Sequence, residues 1–467
     1  MNPKTYDMIV IGGGPGGQSA ASVAADQGMR TALIERHALG GTCHNYGCDP
    51  TKTLIDVAER LHEARRAKEF GLHIPDVQVD LPAVRQRVDQ ALQAMRGGVA
   101  IEDAARSFEA LGIDVYQADA RFLSPTTLRV GNQELAFKQA IIAVGTTPMI
   151  PPIDGLREAG FMTNVEASHL PAIPKRLAVI GGGSLGIEFA QIYQRFGSHV
   201  TVLEQGERPL ATEDSELADH LIKLLDQEGI GFVTQAEVVH VASHDSTRIL
   251  SIRHANEREE HLEVDAILLA SGRKPALENL GLELAGVEYS KSGITINPNL
   301  ATSVDHIWAI GDVTGGLRFT HLAQAQGEHA ARNAAAKHPE PFAPHVVPWV
   351  TFTAPALAHA GVTEDELRKR GLHYVVGRSA FSDNDRAATM GLMNGEVKIL
   401  ANDEGRILGG HVLGHRAGEV LAPIVVAMQS GMSVQKLAAT IFPYPTLAAA
   451  VKAAAAAIYN GAHKAGA

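Results

Sequence analysis

Short apolar runs recur along the chain and stop at glycines, prolines or a single acid. Runs of this kind bounded by turn residues predict buried strands, whereas apolar residues returning every three or four positions predict helices. Tyr6 to Ile11 predicts a strand that passes through Gly12-Gly13-Gly14-Pro15-Gly16-Gly17 into a small-residue helix, Gln18 to Gln27. A second strand, Arg30 to Ile34, ends in Glu35. Pro50 to Arg60 predicts a helix, with Pro50 in the first turn, where its missing N–H costs nothing. Residues 53 to 110 stay helical in period, with Leu54, Val57, Leu61 and Ala64 on one face and a second long stretch from Leu81 to Leu111. Turn signals around Gly71 to Pro75 divide the two, and Arg96-Gly97-Gly98 interrupts the second. Short strands follow as far as Ala140 to Thr146, and Pro148, Pro151 and Pro152 read as a stiff linker.

The opening pattern then returns. Leu177 to Ile180 predicts a strand, a helix runs to Phe196, and the next strand, His199 to Leu203, ends in Glu204. In the first unit Gly12, Gly14 and Gly17 satisfy G-x-G-x-x-G, and in the second Gly181, Gly183 and Gly186 do the same. The first glycine allows the tight turn, the second lets a pyrophosphate approach the backbone, and the third lets helix and strand pack closely. Glu35 and Glu204 stand where a carboxylate accepts from a ribose hydroxyl. One dinucleotide site per unit implies two redox cofactors that exchange electrons. Further apolar runs lie at Val264 to Ala270 and Ile307 to Ile310. From about Val346 the chain turns to strands and helices without a nucleotide motif, and Leu447 to Tyr459 reads as a packed Ala-rich helix carrying Lys452.

A chain of 467 residues is too long for one core and suggests about three domains. Its net charge of −11, with no basic block, argues against nucleic acid or an anionic membrane as partner. The N-terminus enters a strand without a basic segment and apolar signal core, so the expected location is cytoplasmic. A structural disulfide is out of place there, yet the chain's two cysteines, Cys43 and Cys48, stand five positions apart just after the first glycine motif. In an ideal helix that spacing separates them by roughly 8 Å, beyond the ~7 Å limit between bridged Cα atoms. In a strand it is about 16 Å. A bridge needs an irregular turn, for which Asn45, Tyr46 and Gly47 are suited. The helix beyond puts Cys48 at a helix N-terminus, where the dipole favours a thiolate.

The segment GGTCHNYGCDPTK, Gly40 to Lys52, resembles GGTCxNxGCxPSK of the group I pyridine nucleotide-disulfide oxidoreductases, with Thr51 the one change at a fixed position. That family includes dihydrolipoamide dehydrogenase, glutathione reductase and mercuric reductase. The resemblance runs from Asp7 to about Ile458. It implies an α/β fold of two Rossmann-type domains, for FAD and NAD, plus a C-terminal α+β dimerisation domain. The expected segments are 1–150 and 273–345 for FAD, 151–272 for NAD and 346–467 for the homodimer interface. It further implies a redox-active Cys43–Cys48 disulfide, with Cys43 as the interchange thiol and Cys48 as the charge-transfer thiol against the flavin. Gly41, Thr42 and Lys52 then lie at the flavin, and Glu188 pairs with Lys52, the alternative being an exposed helix glutamate. Gly145 marks the crossing beside the flavin, where Val144 replaces the family's Thr. Gly272 and Arg273 match the returning GRxP segment. Gly311 and Asp312 match the strand-end Gly-Asp that bonds the ribityl chain, and Ala323 belongs to the segment under the ring. His321 beside it reads as packing, and Arg96 as a surface residue rather than an anion site.

One part of the family pattern is missing. The disulfide reductases end in HPTxSE, whose His and Glu come from the partner subunit and shuttle protons. Here Tyr444 and Ala449 take those places. Tyr titrates near 10 and is a poor base at neutral pH. Mercuric reductases also have Phe-Pro-Tyr there, but this chain lacks their C-terminal cysteine pair. The implied function is an NADH-driven, FAD-dependent reductase of a metal ion or small acceptor, with NADH ahead of NADPH, Tyr444 in a catalytic or interface role, and no resident metal. The alternatives are a lipoamide dehydrogenase with altered acid–base chemistry and a flavoprotein binding subunit without turnover.

Overall fold

The computed structural model describes residues 3–465. The outermost positions of the first and last expected segments, 1–2 and 466–467, lie outside the described residues. The strand β1 (Lys4–Ile11) leads into the helix α1 (Pro15–Asp26) and the strand β2 (Thr31–Glu35). Next come two helices, α2 (Gly41–Tyr46) and α3 (Cys48–Arg66), and a third, α4 (Leu81–Met95). Then follow β3 (Asp114–Gln117), β4 (Ala120–Ser124), β5 (Thr127–Val130) and β6 (Gln133–Ile142). Among the described residues the first sheet has the order β3-β2-β1-β6-β5-β4, and Ile307–Ala309 pairs with β6. β1 is parallel to both β2 and β6, and Met8, Ile9 and Val10 are fully buried. A parallel strand covered on both faces needs such an unbroken apolar run.

The chain leaves this sheet through β7 (Thr146–Pro148) and enters a second one. There β8 (Arg176–Ile180), β9 (His199–Leu203) and β10 (Gly231–Val233) run parallel, the chain then makes a separate antiparallel sheet of β11 (Ala236–His244), β12 (Thr247–His254) and β13 (Glu259–Val264), and β14 (Ala266–Leu269) returns to close the parallel sheet beside β8. It returns through β15 (Arg273–Pro275), which pairs antiparallel with β7. The expected proline linker is thus in part a strand, its backbone paired in register Pro148 to Arg273. The C-terminal sheet is antiparallel, in the order Trp349–Thr351, Ala356–Gly361, Ile407–Gly414, Glu396–Ala401, Val375–Ala380. Helices Ala417–Gln429 and Ala449–Ala465 pack on it, the latter burying Val451, Ala454 and Ala455.

Two helix expectations change. The helix after the cysteines starts at Cys48 and runs to Arg66, because Gly47 alone breaks the chain there. The stretch Leu81 to Leu111 is not one helix: α4 stops at Met95, Gly97 and Gly98 take φ of +68° and +83°, and only short turns follow. Left-handed glycines end a helix rather than bend it.

One row of side chains crosses the whole C-terminal sheet. Trp349 lies opposite His359, His359 opposite His411, His411 opposite Lys398, and Lys398 opposite Arg378. Lys398 is buried and meets Asp214 at 2.8 Å, Glu216 at 2.8 Å and Glu364 at 2.5 Å. It thereby ties the second nucleotide unit to the C-terminal sheet.

Candidate redox site

The site is built on the corner between α2 and α3. Gly40 and Gly41 take φ of +98° and +56°, and a Cβ on Gly41 would come within 2.8 Å of Gly14 Cα, so α2 sits on the first glycine turn. Asn45 is buried; its amide donates to the carbonyls of Leu39 at 3.1 Å and Gly41 at 2.9 Å, and its Oδ1 accepts from Arg96 at 2.7 Å. Arg96 is therefore not a free surface arginine: it braces the cysteine corner. The irregular turn expected over Asn45 to Gly47 shrinks to Gly47, where a Cβ would meet the Thr42 carbonyl at 3.0 Å. This puts Cys43 inside α2 and Cys48 at the first residue of α3, and both sulfurs converge on the Thr320 hydroxyl, at 3.0 and 3.4 Å. Both cysteines are free thiols in this structure.

The two sulfurs are electrostatically unlike. The hydrogen bond from Cys43, helped by Thr320 and the charge of Lys52, brings Cys48 down to about 6 against the opposing effect of burial. The same hydrogen bond, with burial and the neighbouring charge, raises Cys43. One turn along α3, Lys52 donates to Glu188 at 2.8 Å. Glu188 is buried, not exposed, and its other oxygen accepts from the Phe352 amide at 2.9 Å. Glu188 lies on the helix Ser184–Phe196 that follows the second glycine turn. Leu54, Ala58 and Leu61 of α3 share a core with Ile187, Phe189 and Ile192 of that helix. The cysteine pair is thus linked to both glycine turns, through Gly41 on one side and α3 on the other.

The two turns are near copies. Gly12 and Gly181 take φ of +109° and +112°, and a Cβ on Gly17 or Gly186 would strike the carbonyl of Gly12 or Gly181. A Cβ on Gly14 or Gly183 meets nothing within 4 Å, and each of these glycines caps its helix without a side chain. Helix N–H groups left open beside a free approach fit a pyrophosphate. Glu35 accepts from the amides of Gly13 at 2.7 Å and His37 at 2.8 Å, and Glu204 from those of Gly182 at 2.7 Å and Gly206 at 2.6 Å. Each acid stands at the lip of its turn.

A hydrogen-bonded set gathers the other expected cofactor residues. Arg273 donates to Thr146 Oγ1 at 2.8 Å, to the Thr146 carbonyl at 2.8 Å and to Asn164 Oδ1 at 3.1 Å, with Thr42 Oγ1 at 3.5 Å. Thr146 in turn donates to Asp312 at 3.0 Å. Gly145 and Gly272 flank this crossing with φ of +65° and +115°. Gly311 donates to Gln326 at 2.7 Å, and Ala323 packs on both Gly311 and Gly16, bringing the Thr320 helix against α1. Tyr444 stands apart: it is 80% exposed, and its phenol bonds Asp385, which raises its pKa. His321 stacks on Phe319 at 5.6 Å, a packing arrangement.

Sequence reading placed Thr320 and Thr146 only in the segments that pass the flavin, without a role of their own, and gave none to Asn164 or Asp49. The first three act through contacts more than a hundred residues away along the chain. Asp49 was within the motif, and its position five residues after His44 was the available signal; His44 Nδ1 and Asp49 Oδ2 lie 2.6 Å apart.

The family model described as pyridine nucleotide-disulphide oxidoreductase matches residues 6–327, and the dimerisation domain of the same family matches 347–455, which indicates a homodimer. The chain is 37% identical to dihydrolipoyl dehydrogenase of Thermus scotoductus over 98% of each protein. It is 32% identical to mercuric reductase of Staphylococcus aureus over 96% of this chain and 82% of that one. The Cu(II) complex of HOCl-induced flavoprotein disulfide reductase RclA from Escherichia coli superposes with a TM-score of 0.85 at 29% identity, covering 98% of this chain and 99% of that one. No helix among the described residues is long and apolar enough to cross a membrane. The chain belongs to the pyridine nucleotide-disulphide oxidoreductases, enzymes that depend on FAD and a pyridine nucleotide.

Proposed function

We propose that the protein is an NADH-driven reductase that passes electrons through Cys43 and Cys48 to a metal ion or a small acceptor. The observation that carries this is the convergence of both sulfurs on Thr320, joined to the first glycine turn by Gly41 and to the second by the Lys52–Glu188 pair. In this reading segments 1–150 and 273–345 hold FAD, 151–272 the nicotinamide and 346–467 the dimer contact. Gly12, Gly14, Gly17 and Glu35 take the adenosine end of FAD, and Arg273, Thr146 and Asp312 the part nearer the ring. Gly181, Gly183, Gly186 and Glu204 take the nicotinamide dinucleotide. Bound there, the two cofactors supply the two-electron reduction of the cysteine pair. Lys52, fixed by Glu188, places a positive charge beside the thiols. Cys48 holds the thiolate, and Cys43 keeps its proton until it meets the acceptor. Two electrons leave as the pair closes to a disulfide, and the Cys43 proton goes to solvent.

The metal-ion reading draws on the Cu(II) complex of the similar reductase and on Tyr444, which stands where a base would serve disulfide chemistry. A second reading, oxidation of a dithiol, is favoured by the identity to a dihydrolipoyl dehydrogenase. Nicotinamide oxidation with lipoamide, glutathione disulfide, cupric and mercuric ions and quinones separates them. The expected order puts a metal ion or quinone clearly above both disulfides. Brisk lipoamide turnover at neutral pH refutes it.

A further inference from the structure

We propose that Cys43, His44 and Asp49 form a capture site for one soft or borderline divalent metal ion. The proposal rests on the reductase reading for its purpose and on geometry for its existence. Each of the three side chains offers one ligand atom, and these atoms all lie within 4.8 Å of one another. In a four-coordinate zinc-like site, bond lengths of ~2.0–2.3 Å put neighbouring donors roughly 3.3–3.6 Å apart. The triangle therefore closes with small side-chain rotations. A thiolate with an imidazole selects copper, zinc and their heavier relatives over magnesium or calcium.

Three further observations favour this set over a casual ion pair. Residues 44 and 49 fall on positions that the motif GGTCxNxGCxPSK leaves open, so the His–Asp pair is this chain's own addition beside the attacking thiol. The pair lines a cavity of about 280 Å³, with Met95 on its rim and Cys43 outside its lining, so His44 and Asp49 stand between that opening and the thiol. Arg96 also lines that cavity, giving one N–H to Asn45 at 2.7 Å, and its positive charge is what the Asp49 carboxylate and the Cys43 thiolate have to outweigh for a cation to bind. All three donors are partly exposed, so an ion reaches them without opening the fold. Capture forms one bond from Cys43 Sγ to the metal and releases the thiol proton. His44 adds a ring nitrogen and Asp49 a carboxylate oxygen whose charge offsets that of the ion. Cys48 stays free of this set, available to close the disulfide when electrons pass.

Cadmium(II) is the probe, because it is soft and takes no electrons. The FAD-loaded protein is reduced anaerobically with NADH, freed of nucleotide and titrated by calorimetry. One ion per chain is expected. His44→Ala and Asp49→Asn should each weaken binding by at least about tenfold to a hundredfold, the loss that changes to the groups behind a metal's ligands already cause. Cys43→Ser should remove binding. FAD content and the flavin spectrum report whether each variant is folded, and His44→Gln replaces a variant that loses FAD. Affinity unchanged in both the His44 and Asp49 variants overturns the site, since the ion is then held by the cysteines alone. The site is also wrong if His44→Ala slows lipoamide turnover while cadmium affinity is kept, because the pair is then a proton shuttle. Weakened cadmium binding in both variants, without any NADH-driven metal reduction, supports the site and removes the reductase reading. Metal reduction undiminished by either variant does the reverse.

Discussion

At the scale of residues, the corner between α2 and α3 makes two identical side chains different. Cys43 donates to Cys48, and both touch one hydroxyl, so the proton and the charge have separate addresses. With Cys48 near 6, the reduced enzyme should show a thiolate–flavin absorbance at neutral pH that fades as the pH falls through about 6. Cys43→Ser should show that band without any reductant, and Cys48→Ser should abolish it. Flavin spectra of the two variants that match the parent's would place the pair away from the ring. These cysteines, Lys52 and the glycines were legible because a single contiguous motif carries them. Thr320, Asn164 and the brace from Arg96 were not, because each is defined by a partner that only the folded chain brings near.

At the scale of elements, the duplicated strand–turn–helix was legible from its glycines and its terminal acid, and the two copies differ little in geometry. In the proposed reading Glu204 sets the nicotinamide preference. A carboxylate there accepts a ribose hydroxyl and repels a 2′-phosphate. Arg208, close enough in sequence to soften that repulsion, is turned to Asp365 at 3.6 Å. NADH should therefore be preferred over NADPH in kcat/KM, and Glu204→Ala should narrow the gap mainly through KM. A parent enzyme faster with NADPH would contradict this. The break at Arg96-Gly97-Gly98 was legible and is where α4 ends; what the periodicity missed is that no long helix resumes, because residues 101 to 111 keep an apolar rhythm in only short helical pieces.

At the scale of the whole molecule, the row from Trp349 to Arg378 joins the C-terminal sheet to the second nucleotide unit through buried polar groups. Beside it Glu213 is buried, accepts from Trp349 at 2.8 Å, and has its other oxygen unpartnered. Burial raises it from 4.5 to about 7. The folded chain keeps this proton while the unfolded chain loses it above 4.5, so stability should fall as pH rises from about 4.5 to 7 and then level off, by on the order of 3 kcal/mol. Glu213→Gln should flatten that part of the melting-temperature profile; equal slopes in parent and variant would discard the assignment. Glu216 acts oppositely: held down to about 2 by Lys398 and Arg378, it stabilises above its ordinary 4.5 and loses this as pH falls through 2. Tyr444 belongs to this scale too, because it is exposed in one chain and the family forms dimers. Tyr444→Phe should lower the metal or quinone rate and spare reduction of the flavin by NADH, measured by stopped flow.

The pairing of β7 with β15 gives the molecule a neck. Outgoing and returning chain are hydrogen-bonded neighbours there, so everything between Pro148 and Arg273 is, topologically, an insertion with its two ends stapled together. A graft that exchanged this insert for one of different nucleotide preference needs only two junctions, already side by side. It also needs to keep the surface that meets α3, where Ile187 and Phe189 share the core with Leu54 and Leu61. The exchange must also keep Glu188 and Asn164, which reach Lys52 and Arg273, and Asp214 and Glu216, which hold Lys398, so the neck makes the insert portable only together with these four contacts.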